Sequence, residues 1–254
     1  MAGKDIPVPI ISYHAIGDEK SPVFLSKSEF ERQIKSLASH GYETADISPA
    51  IFQQANESQK TCVICFDDCY ESVYSIAASV MEQYGLTGVL YVVTEYCGRQ
   101  NNWTGQPDSV PRAPLMSWDQ IEDLASRGWQ IGSHSRTHRD LTRLTLEELN
   151  DEVGMSAEVI QKRIGVKSSS FCFPYGLSND RVRDEVRMQY DTAVGTTLKL
   201  ASQSDDCHDL PRIDSYYLSV YEGDVPLSSP GWQSYLAARQ TLRTIKRWFV
   251  PDVH

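Results

Sequence analysis

Seven short runs of apolar, β-prone residues recur along this chain, most of them parted by segments of helical period, and few folds accept that alternation. They are Val8–His14, Thr61–Phe66, Gly88–Val93, Trp129–Ser133, Ser170–Phe173, Thr192–Gly195 and Arg212–Tyr216. Residues 27–40 read as a helix with Phe30, Ile34 and Leu37 on one face, and 72–84 as another. A third opens at Ser117, carries acidic residues in its first turns and stops at Gly128. A fourth starts with a capping-box spacing, Thr145 to Glu148, and runs to Ile164 before Gly165. Strands alternating with helices demand a parallel sheet, open or closed into a barrel. A chain of 254 residues builds this as one domain, so a single unit spanning 1–254 is expected.

Composition narrows the class of function. A hydrophobic share of 41% and a charged share of 23% are those of an ordinary soluble globular protein, not of a fibre or a disordered chain. The net charge of -10 argues against a nucleic-acid partner, whose phosphates call for a basic surface. No segment is apolar over the length a transmembrane helix needs, so no stable membrane insertion is expected. The first residues lack the apolar core of a secretory leader, and six scattered cysteines suit a reducing compartment, so the expected location is cytoplasmic. Oligomeric state is not legible.

Parallel α/β folds place their sites at the carboxyl ends of strands. Four of the runs deliver polar or aromatic groups there: His14, the pair Asp67-Asp68, His134, and Pro174-Tyr175. His138 follows His134 four positions on. Two imidazoles and a carboxylate are what a zinc-type ion takes in a catalytic site that keeps one position open, and a second carboxylate is then placed to act as base. The long irregular stretch from Tyr96 to Pro114 is expected to form part of the rim. Cys62-Val63-Ile64-Cys65 has the spacing of a zinc knuckle or redox dithiol, but side chains three apart on a strand point to opposite faces, so both thiols are expected in the core.

The segments Pro9-Ile-Ile-Ser-Tyr-His14, Phe66-Asp67-Asp68, Met116-Ser117-Trp118, Gly132-Ser133-His134 through His138, and Phe173-Pro174-Tyr175-Gly176 occur in one order from Val8 to about Arg212. In these the chain resembles the polysaccharide deacetylases of carbohydrate esterase family four. The resemblance implies a distorted (β/α) barrel and metal-dependent hydrolysis of the N-acetyl group of an amino sugar, with a carbohydrate as substrate. Carried over by position, Asp67 resembles the general base, and Asp68, His134 and His138 resemble the ligands of one divalent ion, zinc before cobalt or nickel. The backbone around Tyr175 resembles an oxyanion donor, while Trp118, Pro174 and Tyr175 resemble a sugar-binding rim.

Three departures from that pattern bear on mechanism. Cys69 stands where the family usually has glycine after the paired aspartates, and Cys172 stands where an arginine often steadies the base. Arg212 is then the candidate to hold Asp67 from another strand. The leucine-rich strand that ends in a general-acid histidine has no counterpart, so either His14 or His208 supplies the proton, or a metal-bound water does, or turnover is weak. Three alternatives follow: a C–N hydrolase of a small amide, imide or ureide, a deacylase of nucleotide sugars, and a lapsed carbohydrate-binding module. Residues 232–249 form an amphipathic helix, with Leu236, Leu242, Ile245 and Phe249 against Arg239, Arg243, Lys246 and Arg247, expected to pack across the barrel.

Overall fold

Apolar runs buried on both faces are the mark of a parallel sheet covered by helices. The computed structural model describes residues 6–54, 60–220, 227 and 229–249, and shows such a sheet. Its strands are β1 (Ile10–Tyr13), β4 (Tyr42–Thr44), β5 (Lys60–Phe66), β6 (Val89–Val92), β7 (Gln130–Ser133), β8 (Ser170–Cys172), β9 (Thr192–Val194) and β10 (Ile213–Asp214). The short pair β2 (Ala15–Ile16) and β3 (Phe24–Leu25) lies apart. The main path runs β10-β1-β5-β6-β7-β8-β9, parallel throughout, with β4 against the start of β5. The seam between the path's two ends is bridged where Gly195 N–H donates to Leu210 O at 2.8 Å and Arg212 N–H to Thr197 O at 2.9 Å. The seven expected strands and the curled, parallel, single-domain α/β barrel are thus present.

Alternation along each strand sends one set of side chains inward and the other outward. Ile10, Val63, Cys65, Val89, Tyr91, Cys172 and Val194 fill the interior, while Ile11, Tyr13, Cys62, Ile64 and Phe66 pack beneath the helices. Cys62 and Cys65 therefore belong to opposite faces, both are free, and burial pushes each thiol up to about 12. Gly132 is required inside: a Cβ there would meet the Tyr91 ring at 2.6 Å.

The helices are α1 (Lys27–Ser39), α2 (Ile51–Gln54), α3 (Ala78–Glu82), α4 (Trp118–Ser126), α5 (Leu146–Ile164), α6 (Asp180–Gln189), α7 (Ser215–Ser219) and α8 (Pro230–Phe249). Ser117 and Thr145 close full capping boxes on α4 and α5, and Gly165 ends α5 at φ 82°. The helix expected over 72–84 is a π-turn at Val73–Ala77 leading into α3. The last expected strand stops at Asp214, whose side chain accepts from Tyr216 N and starts α7 instead. On α8, Trp232 and Leu236 are buried but Leu242 is exposed, so the expected apolar stripe loses one member. The side chains of Ile245, Lys246, Arg247 and Phe249 lie outside the described residues. Among the described residues no helix is long and apolar enough to cross a membrane.

Candidate active site

The site grows out of the strand ladders. Asp67 N–H continues the β1–β5 pairing by donating to Tyr13 O at 2.9 Å, and His134 N–H continues β6–β7 by donating to Val92 O at 2.9 Å. Past these points the backbone turns sharply. The non-glycine residues with positive φ among the described residues are Asp68, Cys69, Ser135, His138 and Tyr175, all between φ 57° and 66°. Each such conformation costs on the order of 1–3 kcal/mol, and clustering at one rim is the pattern of a functional site. Cys69 thus adopts the left-handed backbone that glycine takes without strain.

Asp68, His134 and His138 meet there, all three buried. His134 Nε2 and His138 Nε2 lie 3.5 and 3.3 Å from Asp68 Oδ1, and that oxygen is buried without a hydrogen-bond partner. Donors about 2 Å from a tetrahedral ion sit about 3.3 Å from one another, so the three atoms fit a zinc-sized cation. His134 donates Nδ1–H to Cys172 O at 2.7 Å, which leaves Nε2 with its lone pair toward Asp68. Among the described residues no hydrogen bond orients the Nδ1 of His138. Its ring is held by packing instead, between Trp103 with centroids 4.3 Å apart and Tyr175 at 4.5 Å. Burial, reinforced by His134, holds the His138 imidazole well below its usual value, so it is neutral and able to ligate.

Asp67 is bound on its other side. Arg212 Nη1 donates to Oδ1 at 2.7 Å and Nη2 to Oδ2 at 2.9 Å, while Nε donates to Gly195 O at 2.9 Å. Burial alone would raise the Asp67 carboxyl; the Arg212 guanidinium, with His14 and His134 behind it, outweighs burial and holds it well below the usual carboxylate range. His14 Nε2 stands 3.8 Å from Asp67 Oδ2. Cys172 Sγ lies 3.3 Å from Arg212 Nη2 and 3.5 Å from Asp67 Oδ2, so the thiol occupies the edge of this pair.

A cavity of about 300 Å³ opens over these groups, lined by His14, Asp67, Asp68, His134, His138, Tyr175 and Arg212, together with Thr196, Asp214 and Arg243. Gln106, Pro107, Ser109 and Val110 bring in the irregular loop expected at the rim. Two expected rim residues do not reach it. Trp118 is the first residue of α4, and its ring packs in the outer layer under Arg163, 5.5 Å away. Pro174 is buried as the first residue of a 3-10 turn whose next residue, Tyr175, faces the cavity. His208 is also elsewhere, with Nε2 on Tyr190 O at 2.9 Å. Trp103 and Glu152 do not stand out in the sequence; an aromatic in the rim loop is the available signal for the first, and a carboxylate on the buried stripe of α5 for the second.

Comparison with known proteins gives the family and the fold. A family model, described as polysaccharide deacetylase, matches residues 54–192, more than half of the chain. The Bacillus subtilis protein YxkH, which carries the polysaccharide deacetylase name, is 25% identical over 214 residues, 83% of this chain and 72% of its own. The poly-beta-1,6-N-acetyl-D-glucosamine N-deacetylase of Staphylococcus aureus is 21% identical over 167 residues, 61% of this chain and 55% of its own, so the chain spans little more than half of that relative. Among solved structures, the Streptococcus pyogenes deacetylase PplD in complex with acetate superposes with a TM-score of 0.72 at 20% identity, covering 83% of this chain and 93% of the other. IcaB from Ammonifex degensii superposes at 0.65 with 19% identity, covering 92% and 97%. At these identities the superpositions establish the fold.

Proposed function

Because the chain belongs to the polysaccharide deacetylase family of amide-cleaving hydrolases, we propose that it hydrolyses the N-acetyl group of an N-acetylated amino sugar in a glycan, with one divalent ion, zinc first, held by Asp68, His134 and His138. The observation that carries this reading is the pairing of that three-donor cluster with an ionised, arginine-clamped Asp67 in one cavity. An amide is a poor electrophile, and the chemistry a bound ion supplies is polarisation of its carbonyl together with acidification of water.

The chain's own residues supply the rest. Asp67, kept charged by Arg212, takes the proton of the attacking water. His14, beside Asp67 and open to the cavity, gives a proton to the departing amine, the role that the missing C-terminal histidine leaves vacant. The backbone N–H of Tyr175, in its left-handed turn against the cavity, is the oxyanion donor. The Arg212 clamp gives the base its cation from another strand in spite of Cys172, and this favours turnover over a lapsed binding module. Poly-N-acetylglucosamine, named for the Staphylococcus aureus relative, is the first polymer to test.

The test pairs elemental metal analysis with acetate release from β-1,6-linked N-acetylglucosamine oligomers, chito-oligosaccharides and nucleotide sugars, with and without zinc, cobalt or nickel. About one ion per chain and metal-dependent acetate release are expected. Metal bound with no acetate from any N-acetylated sugar would overturn the deacetylase reading.

A further inference from the structure

Between the two histidines of the metal cluster the chain turns sharply, and Ser135 Oγ ties it internally by accepting His138 N–H at 3.0 Å. Ser135 and His138 both sit in the left-handed region, at φ 64° and 60°, and only Arg136 and Thr137 separate them. Such a backbone persists where the surroundings over-determine it. On one side the extension of β6 does this: Glu95 N–H donates to Arg136 O at 3.0 Å and Thr94 N–H to Ser135 O at 3.3 Å.

On the other side stands Glu152 in the middle of α5, whose backbone O accepts Arg136 N–H at 3.1 Å beside its carboxylate. Glu152 is 4% exposed. Its Oε2 accepts the N–H of Arg136 at 3.0 Å and that of Thr137 at 2.8 Å, and its Oε1 accepts the Thr137 hydroxyl. The Arg136 side chain turns the other way, to Glu95 at 2.6 Å, so the Glu152 charge is met by backbone and hydroxyl donors. Four positions along the same helix face, Ser156 receives the Ser133 hydroxyl at 2.8 Å, and Ser133 Oγ in turn accepts Ser135 N–H at 3.2 Å. A buried carboxylate on a largely apolar helix stripe is unfavourable unless its donors are supplied in full. Here they come from Arg136 and Thr137, two of the three residues between the histidines.

We infer that Glu152 is a positioning residue of the metal centre: it holds residues 136–137 so that His134 and His138 present Nε2 to the same point. The inference rests on the reading of Asp68, His134 and His138 as ligands, and extends it to a residue that touches neither ion nor substrate. Glu152→Gln keeps the shape but sets an NH₂ group against one of the donors, so the clamp is half undone. Thr137→Val removes one donor and leaves the helix intact.

The experiment measures zinc affinity by chelator competition, and amide hydrogen exchange of residues 135–138 in the metal-free full chain. For E152Q the zinc dissociation constant should rise by about 10- to 100-fold, the usual effect of losing such a support, with a smaller rise for T137V. Exchange in the 135–138 segment should quicken in both while exchange in β5 and β6 is unchanged. Val153→Ala, on the same helix but within an apolar cluster, should lower thermal stability and leave zinc affinity alone. Unchanged affinity and unchanged exchange in E152Q, or equal weakening in V153A, would overturn the inference. Zinc binding that depends on Glu152 in a protein releasing no acetate would sink the deacetylase reading and leave this one standing. If the wild type binds no metal, the inference falls together with the ligand reading.

Discussion

Arg212, just before β10, reaches past β1 to grip Asp67 at the end of β5 with both guanidinium arms, at 2.7 and 2.9 Å, from far away in sequence. The grip is possible because position 172 is a cysteine: its thiol, 3.3 Å from Nη2, leaves the guanidinium the space beside the carboxylate. Both side chains are 5% exposed, so the pair is screened little by solvent.

Arg212→Met should therefore destabilise the protein in a pH-dependent way. In the wild type the Asp67 carboxyl titrates below its unfolded value, so the pair contributes stability above about pH 4 and loses it only in stronger acid. Without the guanidinium, burial raises the carboxyl above its unfolded value, and stability then falls as pH rises. The deficit is already present at about pH 4, where the wild-type pair is ionised, and should grow to about 3–5 kcal/mol at about pH 7 as the unpaired carboxylate of the variant is forced to stay charged. Urea unfolding of the metal-free proteins at both values checks this; an equal deficit at both would mean that Arg212 acts by packing alone.

Replacing Asp67 and His138 in turn separates base from ligand. Asp67→Asn should keep a full complement of zinc and lose about 100- to 10,000-fold in acetate release, whereas His138→Ala should lose the metal. Elemental analysis and turnover on the same preparations decide it. A zinc-replete H138A protein would remove His138 from the ligand set, and an active D67N protein would place the base elsewhere.

Much of this arrangement is legible in the order of the residues. The runs that form β5, β6 and β8 are buried on both faces, which makes them apolar throughout and easy to see. The short edge strand Tyr42–Thr44 alternates over too few residues to stand out, and α6 has few apolar positions, chiefly Val182 and Val186, among charged ones. In the site, residues at strand ends can be placed by position alone, which is why Asp67, Asp68 and His134 are recognisable together. Trp118 is misplaced by such reasoning because adjacency to a motif says nothing about which layer a ring enters, and its helix starts with that ring turned to α5. Glu152 is invisible since its partners are chiefly backbone groups, which carry no residue signature.

His14 should act late in the reaction. His14→Ala is expected to keep its zinc and to slow acetate release from an N-acetylated sugar by about 100- to 10,000-fold. The defect should shrink on an activated acetyl ester such as p-nitrophenyl acetate, whose leaving group needs no proton. Comparing the two substrates distinguishes proton donation from a general disturbance of the cavity, because equal losses on both would mark His14 as structural.

The exchange of roles between positions 172 and 212 predicts a directional epistasis. Cys172→Arg alone sets a second buried cation beside a carboxylate that already has one, and the displaced guanidinium finds no partner, so the variant should be destabilised by several kcal/mol. Arg212→Met alone leaves Asp67 unpaired. The double variant restores one cation to one carboxylate, in the arrangement that the family pattern implies, and should recover much of the stability and acetate release lost by either single change. Residues in one ion-pair network couple by about 0.5–3 kcal/mol, so a double-mutant cycle on unfolding free energy and on kcat/KM resolves the effect. Losses that simply add would mean that Cys172 and Arg212 do not share the space around Asp67, and the clamp would then be incidental to the base.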